Sequence, residues 1–192
     1  MVKAKPAIVT PSRDLVHATY TYDLVELIRR DPTVDYGMSL GSMVGNLRQA
    51  MIEGALSNGA THILMLDSDM RFPPDTLERL LARGLHIVGA NYRARGGAST
   101  TARYADGSYV AQSPVLSLES VYVVGCGVVL ISAEVFRAMD RPWFPTPWNE
   151  DQFVSEDVYF CTRASELGFQ AFVDHDLSRD VKHVTWTEMT TV

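Results

Sequence analysis

Along the chain, short unbroken apolar runs alternate with longer stretches in which apolar residues recur at helical spacing. The run "AIVT" at residues 7–10 predicts a first strand. Tyr20, Leu24, Leu27 and Ile28 then share one face of a predicted helix. "YGMSL" at 36–40 predicts a second strand, and Leu47, Ala50, Met51, Gly54 and Ala55 form the stripe of a second helix that Asn58-Gly59 closes. "HILMLD" at 62–67 is apolar without alternation, the pattern of a strand covered on both faces. "FPPDTLERLLARG" at 72–84 predicts a helix with prolines at its start, Asp75 and Glu78 in its first turns and Gly84 at its end. "HIVGANY" at 86–92 predicts the next strand.

The rhythm breaks after Tyr92. "RARGGASTTARYADGSYVAQS" is rich in Gly, Ser, Thr and Ala, and residues 93–119 are expected to form a mobile loop or a weak hairpin. "SVYVVG" and "VVLI" flank Gly125-Cys126-Gly127 and predict two strands or one bent strand. Ser132 is placed to cap a short helix, "AEVFRAM". A proline- and tryptophan-rich loop, "RPWFPTPWNEDQF", leads into a helix that Ser155 is placed to cap, with Phe160, Cys161, Ala164 and Leu167 facing inward. "FQAFVDHD" predicts a last strand, followed by a polar tail containing His183 and Trp186. Alternating strands and helices imply an α/β fold: a mostly parallel central sheet flanked by helices on both faces.

Composition narrows the setting. The 192 residues suit one Rossmann-like domain, 1–192, with no linker and no internal repeat. A net charge of -6 argues against a protein that relies on neutralising nucleic-acid phosphates. Cys126 and Cys161 are too few for a disulfide framework and are expected as buried free thiols, which points to a reducing, cytoplasmic setting. No apolar run approaches a membrane span, and the amino terminus carries no signal-peptide pattern.

The candidate chemistry begins where the apolar strand ends in Asp67-Ser68-Asp69. Carboxylates so close repel each other unless positive charge sits between them. In open α/β sheets the carboxyl ends of strands bind ligands. A Mg²⁺ or Mn²⁺ ion sharing its oxygen ligands with phosphates would resolve the conflict. The structural alternative is that one aspartate caps the next helix while the other is solvated. Glu156-Asp157 at a helix start complements the helix dipole, and in a cleft it also makes a general base. His183, joined to a distant carboxylate, would complete a mixed nitrogen–oxygen metal site.

The ordered set "LMLDSDMRFPPDTLERLL", "VGANY", "VGCGVVLISAEVF", "SEDVYFCTRASELGF" and "VKHV" resembles the GT-A glycosyltransferases, closest to small, often phage-encoded members related to the family 2 type. The resemblance spans nearly the whole chain. It implies the nucleotide-diphospho-sugar transferase fold and a nucleotide-sugar donor, with UDP as the expected nucleotide. It assigns Asp69 and His183 to a metal, with Asp67 on the ribose or the metal's water shell, and Asp157 as the base that Glu156 supports. It places Thr10, Pro11, Ser12, Arg13, Asn46, Arg48, Ser68 and Arg93 around nucleotide and donor sugar, and has Gly125 and Gly127 admit the sugar ring. Such a site would transfer a hexose-type sugar to an acceptor hydroxyl with inversion.

Trp143 and Trp148 would stack on the acceptor or else plug the core beneath their loop. The acceptor is open between a protein, a modified base and a small molecule, and a homo-oligomer is not excluded. If the chain is phage-encoded, the host cytoplasm is the expected location. Two rival readings stand beside this one. A sugar-phosphate nucleotidylyltransferase would want a glycine-rich loop after the first strand, where "TPSRDLVHATY" has none. A non-catalytic sugar-nucleotide-binding protein would have no use for a base.

Overall fold

The unbroken apolar runs become strands clothed on both faces. The computed structural model describes residues 4–95, 97, 99–149 and 152–185. In chain order its elements are β1 (Pro6–Ser12), α1 (Ala18–Arg30), β2 (Asp35–Leu40), α2 (Val44–Ser57), β3 (His62–Leu66), β4 (Met70–Arg71), α3 (Thr76–Ala82) and β5 (Ile87–Gly89). They continue with β6 (Leu118–Val121), β7 (Val128–Ser132), α4 (Ala133–Ala138), β8 (Trp148–Asn149), β9 (Gln152–Phe153), α5 (Glu156–Glu166), β10 (Ala171–Asp174), α6 (His175–Ser178) and β11 (Lys182–His183).

A seven-stranded sheet runs in the order β2-β1-β3-β7-β5-β10-β6. Strands β1, β2, β3, β5 and β10 point one way, while β7 and the edge strand β6 run against them. The fold is therefore the expected mostly parallel α/β sheet.

Alternation within the strands builds two cores. Ile8, Leu64, Leu66, Val88 and Leu130 pack with Tyr20, Leu24 and Leu27 of α1, Leu77 and Leu80 of α3, and Leu177 of α6. Ala7, Val9, Ile63, Met65, Val129 and Ile131 pack with Ile52 and Ala55 of α2, Phe136 of α4, and Phe160, Cys161 and Ala164 of α5. The central strands β1, β3, β5 and β7 thus bury both of their side-chain rows, which is why no polar alternation marks them in the sequence. No helix among the described residues is long and apolar enough to cross a membrane.

Several boundaries differ from expectation for identifiable reasons. The buried residues of α2 are Arg48, Ile52 and Ala55, whereas Ala50 and Gly54 face outward. An apolar-only stripe shares just Ala55 with the buried set, because the second turn of the helix buries the charge of Arg48. Leu167 is 43% exposed, since α5 stops at Glu166 before that position returns to the core. Ser132 and Ser155 occupy N-cap positions but neither side chain caps. The Ser132 hydroxyl pairs with His86 Nδ1 at 2.9 Å, and the Ser155 hydroxyl donates to Asp157 Oδ1. Gly84 has φ +64, the left-handed turn that closes α3.

The described residues between 93 and 117 contain no named element, and the strand that follows begins at Leu118. The loop is nonetheless tied down by Asn91. Asn91 Nδ2 donates to the Val110 carbonyl at 2.7 Å, and its Oδ1 accepts from the Ala102 amide at 3.0 Å. The tail makes a strand the sequence did not predict: β11 pairs with β4, setting His183 opposite Met70. Trp186 lies outside the described residues.

The tight approach of β5 to β7 gives a direct test. A Cβ at Gly89 would sit 2.8 Å from the Val128 carbonyl oxygen and 2.9 Å from Val124 Cγ2. Gly89→Ala should therefore lower the unfolding free energy by about 1–3 kcal/mol, the usual cost of overpacking, as read from urea denaturation. Wild-type stability in the variant would refute this account of the strand contact.

Candidate functional site

Strand β3 ends at Leu66, and the chain then turns through Asp67, Ser68 and Asp69 at the carboxyl edge of the sheet. The turn is fixed by backbone bonds on every side. Asp67 N–H donates to the Gly127 carbonyl at 3.0 Å and Met70 N–H to the Asp67 carbonyl at 3.1 Å. The Ser68 carbonyl accepts from His17, and the Asp69 carbonyl from Val184 at 2.8 Å. The two carboxylates are thereby separated, and each meets its own positive partner.

Asp67 Oδ1 accepts from Arg48 Nη2 at 2.8 Å, and the other terminal nitrogen of Arg48 donates to Glu156 Oε1 at 2.6 Å. One guanidinium, 2% exposed, thus joins the end of β3 to the start of α5. Burial opposes the Arg48 charge, but Asp67 and Glu156 outweigh it and raise its pKa. The ring of Phe144 lies 6.0 Å away as a cation–π partner, and the buried Nε has no hydrogen-bond partner. The positive charge that the paired aspartates demanded is at Asp67 an arginine of the chain itself.

Asp69 faces a different set. His183 Nε2 lies 3.1 Å from Asp69 Oδ2, and Arg95 Nη2 donates to the same oxygen. His183 Nδ1 donates to the Arg93 carbonyl at 3.1 Å, which fixes the ring orientation. Both ring nitrogens face oxygen acceptors, an arrangement that favours the protonated imidazole. Its hydrogen bond to Asp69 raises its pKa, against the pull of burial. Burial would raise the Asp69 carboxyl, but the His183 and Arg95 hydrogen bonds outweigh it and hold the group at about 2.

This pair fits a divalent cation. Two neighbouring ligands of an octahedral ion at about 2.1 Å stand about 3 Å apart, and Nε2 and Oδ2 are 3.1 Å apart. Among the described residues no group of three or more His, Cys, Asp and Glu side chains could hold a metal. The site would thus depend on substrate oxygens and water for its remaining ligands, as magnesium sites commonly do.

The base candidates lie at the amino end of α5. Glu156 is held by Arg48. Asp157 accepts from the Val158 amide at 2.8 Å and from the Ser155 hydroxyl, both through Oδ1.

Other residues singled out from the sequence are placed as follows. Thr10 is fully buried with its hydroxyl 2.5 Å from that of Tyr20, Pro11 is buried, and Ser12 donates to the Leu15 carbonyl at 3.0 Å. All three are buried. Arg13 and Asn46 are exposed and Ser68 is half-buried in the turn. Arg93 is exposed, and its guanidinium donates to the Gly97 carbonyl at 2.8 Å.

Gly125 and Gly127 are required for a reason internal to the protein. A Cβ at Gly125 would lie 2.8 Å from Thr101 Cβ, and one at Gly127 would lie 2.8 Å from Tyr92 Cζ. The Tyr92 hydroxyl fills that space and accepts from Gly127 N–H at 2.8 Å. Trp143 is 2% exposed and donates through Nε1 to the Met139 carbonyl at 3.0 Å, so it plugs the core rather than offering a ring to an acceptor. Trp148 is 72% exposed and meets Phe153 edge-on, with 6.2 Å between ring centroids. Cys126 and Cys161 are free and buried, as expected; burial pushes both thiols up, Cys161 to about 12, and neither is a nucleophile.

The sequence reading missed Arg95. Its only signal was its place two residues beyond Arg93 in "YRARGG".

No protein-family model matches the chain, and no curated protein matches it in sequence. Solved structures do. The A197 protein from STIV aligns with a TM-score of 0.66 at 16% identity, over 88% of this chain and 81% of that one. A UDP-glucose pyrophosphorylase complexed with UDP-glucose aligns with a TM-score of 0.52 at 7% identity, over 88% of this chain and 90% of that one. At these identities the likeness is one of fold alone.

Two outcomes are expected from this geometry. Arg48→Met removes the shared cation and leaves two facing carboxylates, which should cost about 3 kcal/mol in urea unfolding. An unchanged midpoint would show that the triad does not form. The second concerns pH in metal-free buffer. His183 titrates above its ordinary 6.5 when folded, so its pairing stabilises fully below that value and is lost as pH rises through the raised pKa. Asp69, held at about 2 rather than 3.8, loses its share only as pH falls toward 2. His183→Gln should therefore depress the melting temperature more at about pH 5.5 than at about pH 9. An equal depression at both would refute the ion pair.

Proposed function

We propose that the protein is a metal-dependent glycosyltransferase, related to the family 2 type, that moves a hexose-type sugar from a nucleotide-diphosphate sugar to an acceptor hydroxyl. UDP is the donor nucleotide of this reading, and Mn²⁺ or Mg²⁺ its metal. One observation carries it: Asp69 and His183, 114 residues apart in sequence, meet at cis-ligand distance on the carboxyl edge of the sheet.

Asp69 Oδ2 and His183 Nε2 would hold the cation. When bound, such an ion supplies Lewis-acid neutralisation of the charge that develops on a departing diphosphate. The chain's own residues do the rest. The Arg93 carbonyl keeps Nε2 directed at the site by accepting a hydrogen bond from Nδ1–H. Arg48 holds Asp67 and Glu156 at a set separation, so the donor side and the acceptor side keep one geometry.

Asp157 takes the proton of the acceptor hydroxyl on Oδ2, the oxygen not committed to Ser155 and Val158. As the acceptor oxygen bonds to the anomeric carbon, the bond from that carbon to the diphosphate oxygen breaks, and attack from the opposite face inverts the anomer. The exposed Trp148 ring, on the hairpin just before Ser155, offers an apolar face to an acceptor.

A nucleotidylyltransferase shares the fold. Against it stands the turn after β1, which has no glycine with which to wrap a triphosphate. The product decides between them: a nucleoside diphosphate marks sugar transfer or donor hydrolysis, and pyrophosphate marks nucleotidyl transfer.

The test is a thermal-shift screen of nucleotide sugars with and without Mn²⁺, paired with an assay of donor hydrolysis. A metal-dependent shift is expected, and Asp69→Ala should abolish it. Asp157→Asn should keep the shift while turnover falls by about 10²–10⁴-fold. A shift that Asp69→Ala leaves intact, or full turnover in Asp157→Asn, would remove the reading.

A further inference from the structure

Two hydrogen-bonding groups share a single oxygen. His183 Nε2 and Arg95 Nη2 both point at Asp69 Oδ2, the atom that a cation at this site would take. The two donors differ in how they are held. His183 lies on β11, with its ring pinned by the Arg93 carbonyl, and its side chain is 12% exposed. Arg95 is 79% exposed, and its contact with Asp69 reaches across 26 residues of sequence. Its near neighbour Arg93 has its guanidinium tied to the Gly97 carbonyl at 2.8 Å. Of these groups, Arg95 is the one whose side chain can leave with little loss of burial.

We propose that Arg95 is a built-in competitor for the metal position: it occupies Asp69 Oδ2 in the ligand-free protein and moves to the donor's diphosphate when the cation takes its place. The inference rests on Asp69 and His183 forming the cation site. A divalent ion and a guanidinium compete for one carboxylate oxygen, because like charges within about 4 Å repel by several kcal/mol even when partly hydrated, and the ion also requires His183 Nε2 to release its proton to solvent. The ion must therefore evict the Arg95 head group.

A guanidinium fork matches phosphate oxygens in pairs. An anionic diphosphate arriving with the ion offers the evicted group a new partner within reach of the same side chain. Each of the two ligands then favours the other. Cation alone must compete with Arg95, whereas cation and diphosphate together satisfy every charge, and such coupling is reciprocal. Arg95 thereby makes the site selective for the metal–diphosphate pair over free metal.

The test uses Mn²⁺ alone and inorganic pyrophosphate, the fragment common to all nucleotide-diphosphate donors. Electron paramagnetic resonance reads Mn²⁺ binding, and calorimetry reads pyrophosphate binding to the Mn²⁺-saturated protein. Arg95→Ala should bind Mn²⁺ alone about tenfold more tightly and pyrophosphate about tenfold more weakly, since one charge-assisted contact is lost in each state. Arg95→Lys, which keeps the charge but not the fork, should stay near wild type for Mn²⁺ and still bind pyrophosphate more weakly.

Wild-type Mn²⁺ affinity in Arg95→Ala overturns the inference while leaving the cation site standing. So does a gain in Mn²⁺ affinity with no loss toward pyrophosphate. If neither wild type nor Arg95→Ala binds Mn²⁺, the cation reading falls and takes the inference with it.

Discussion

The guanidinium of Arg48 sits where two carboxylates from different parts of the fold converge, Asp67 at the tip of β3 and Glu156 at the head of α5. Buried charge is costly unless it is paired, and one cation shared by two anions is tolerable only when the geometry is good. That constraint reaches well beyond the three residues. It ties the second turn of α2 to the sheet, sets the guanidinium beside the Phe144 ring, and places the amino end of α5 beside the aspartate turn. The packing is tight enough that a Cβ at Gly45, one turn before Arg48, would run into the Phe144 carbonyl.

Around this anchor the charges divide into two sets with different mobility. Arg48, Asp67 and Glu156 form an inner set in which the cation is enclosed. Asp69, His183 and Arg95 form an outer set whose arginine is mostly exposed. The inner set maintains shape, because its guanidinium can leave only by giving up its burial and setting two half-buried carboxylates against each other. The outer set can exchange partners, because its arginine gives up little burial on moving.

Regions that look loose in sequence are held by single polar side chains. Asn91 bonds to both the Ala102 amide and the Val110 carbonyl, turning a stretch of small polar residues into a packed layer over β5. His175, fully buried, does the same at the other end: its Nδ1 accepts from Ser113 N–H at 3.1 Å and its Nε2 meets Glu119 at 2.8 Å. Buried polar groups in a protein interior need partners, and here those partners are the backbone of the loop. Periodicity cannot reveal such ties, since they depend on one side chain meeting a distant carbonyl.

The local pattern of residues determined the elements and the class of fold. Unbroken apolar runs such as "HILML" can be satisfied only by a strand covered on both faces, and Tyr20, Leu24 and Leu27 only by a helix lying on it. It also determined where chemistry could occur, because acidic residues at the end of such a strand must lie at the sheet's carboxyl edge.

Pairing was decided by tertiary structure alone. That Asp67 belongs to Arg48 while Asp69 belongs to His183 and Arg95 follows from how α2, α5 and β11 pack around the turn. The same packing turned Trp143 inward, buried Thr10, and made Gly125 and Gly127 necessary for Thr101 and Tyr92. The physical reason is range. Helix and strand preferences act over a few residues, whereas a salt bridge or a steric limit acts between atoms that only the folded chain brings together.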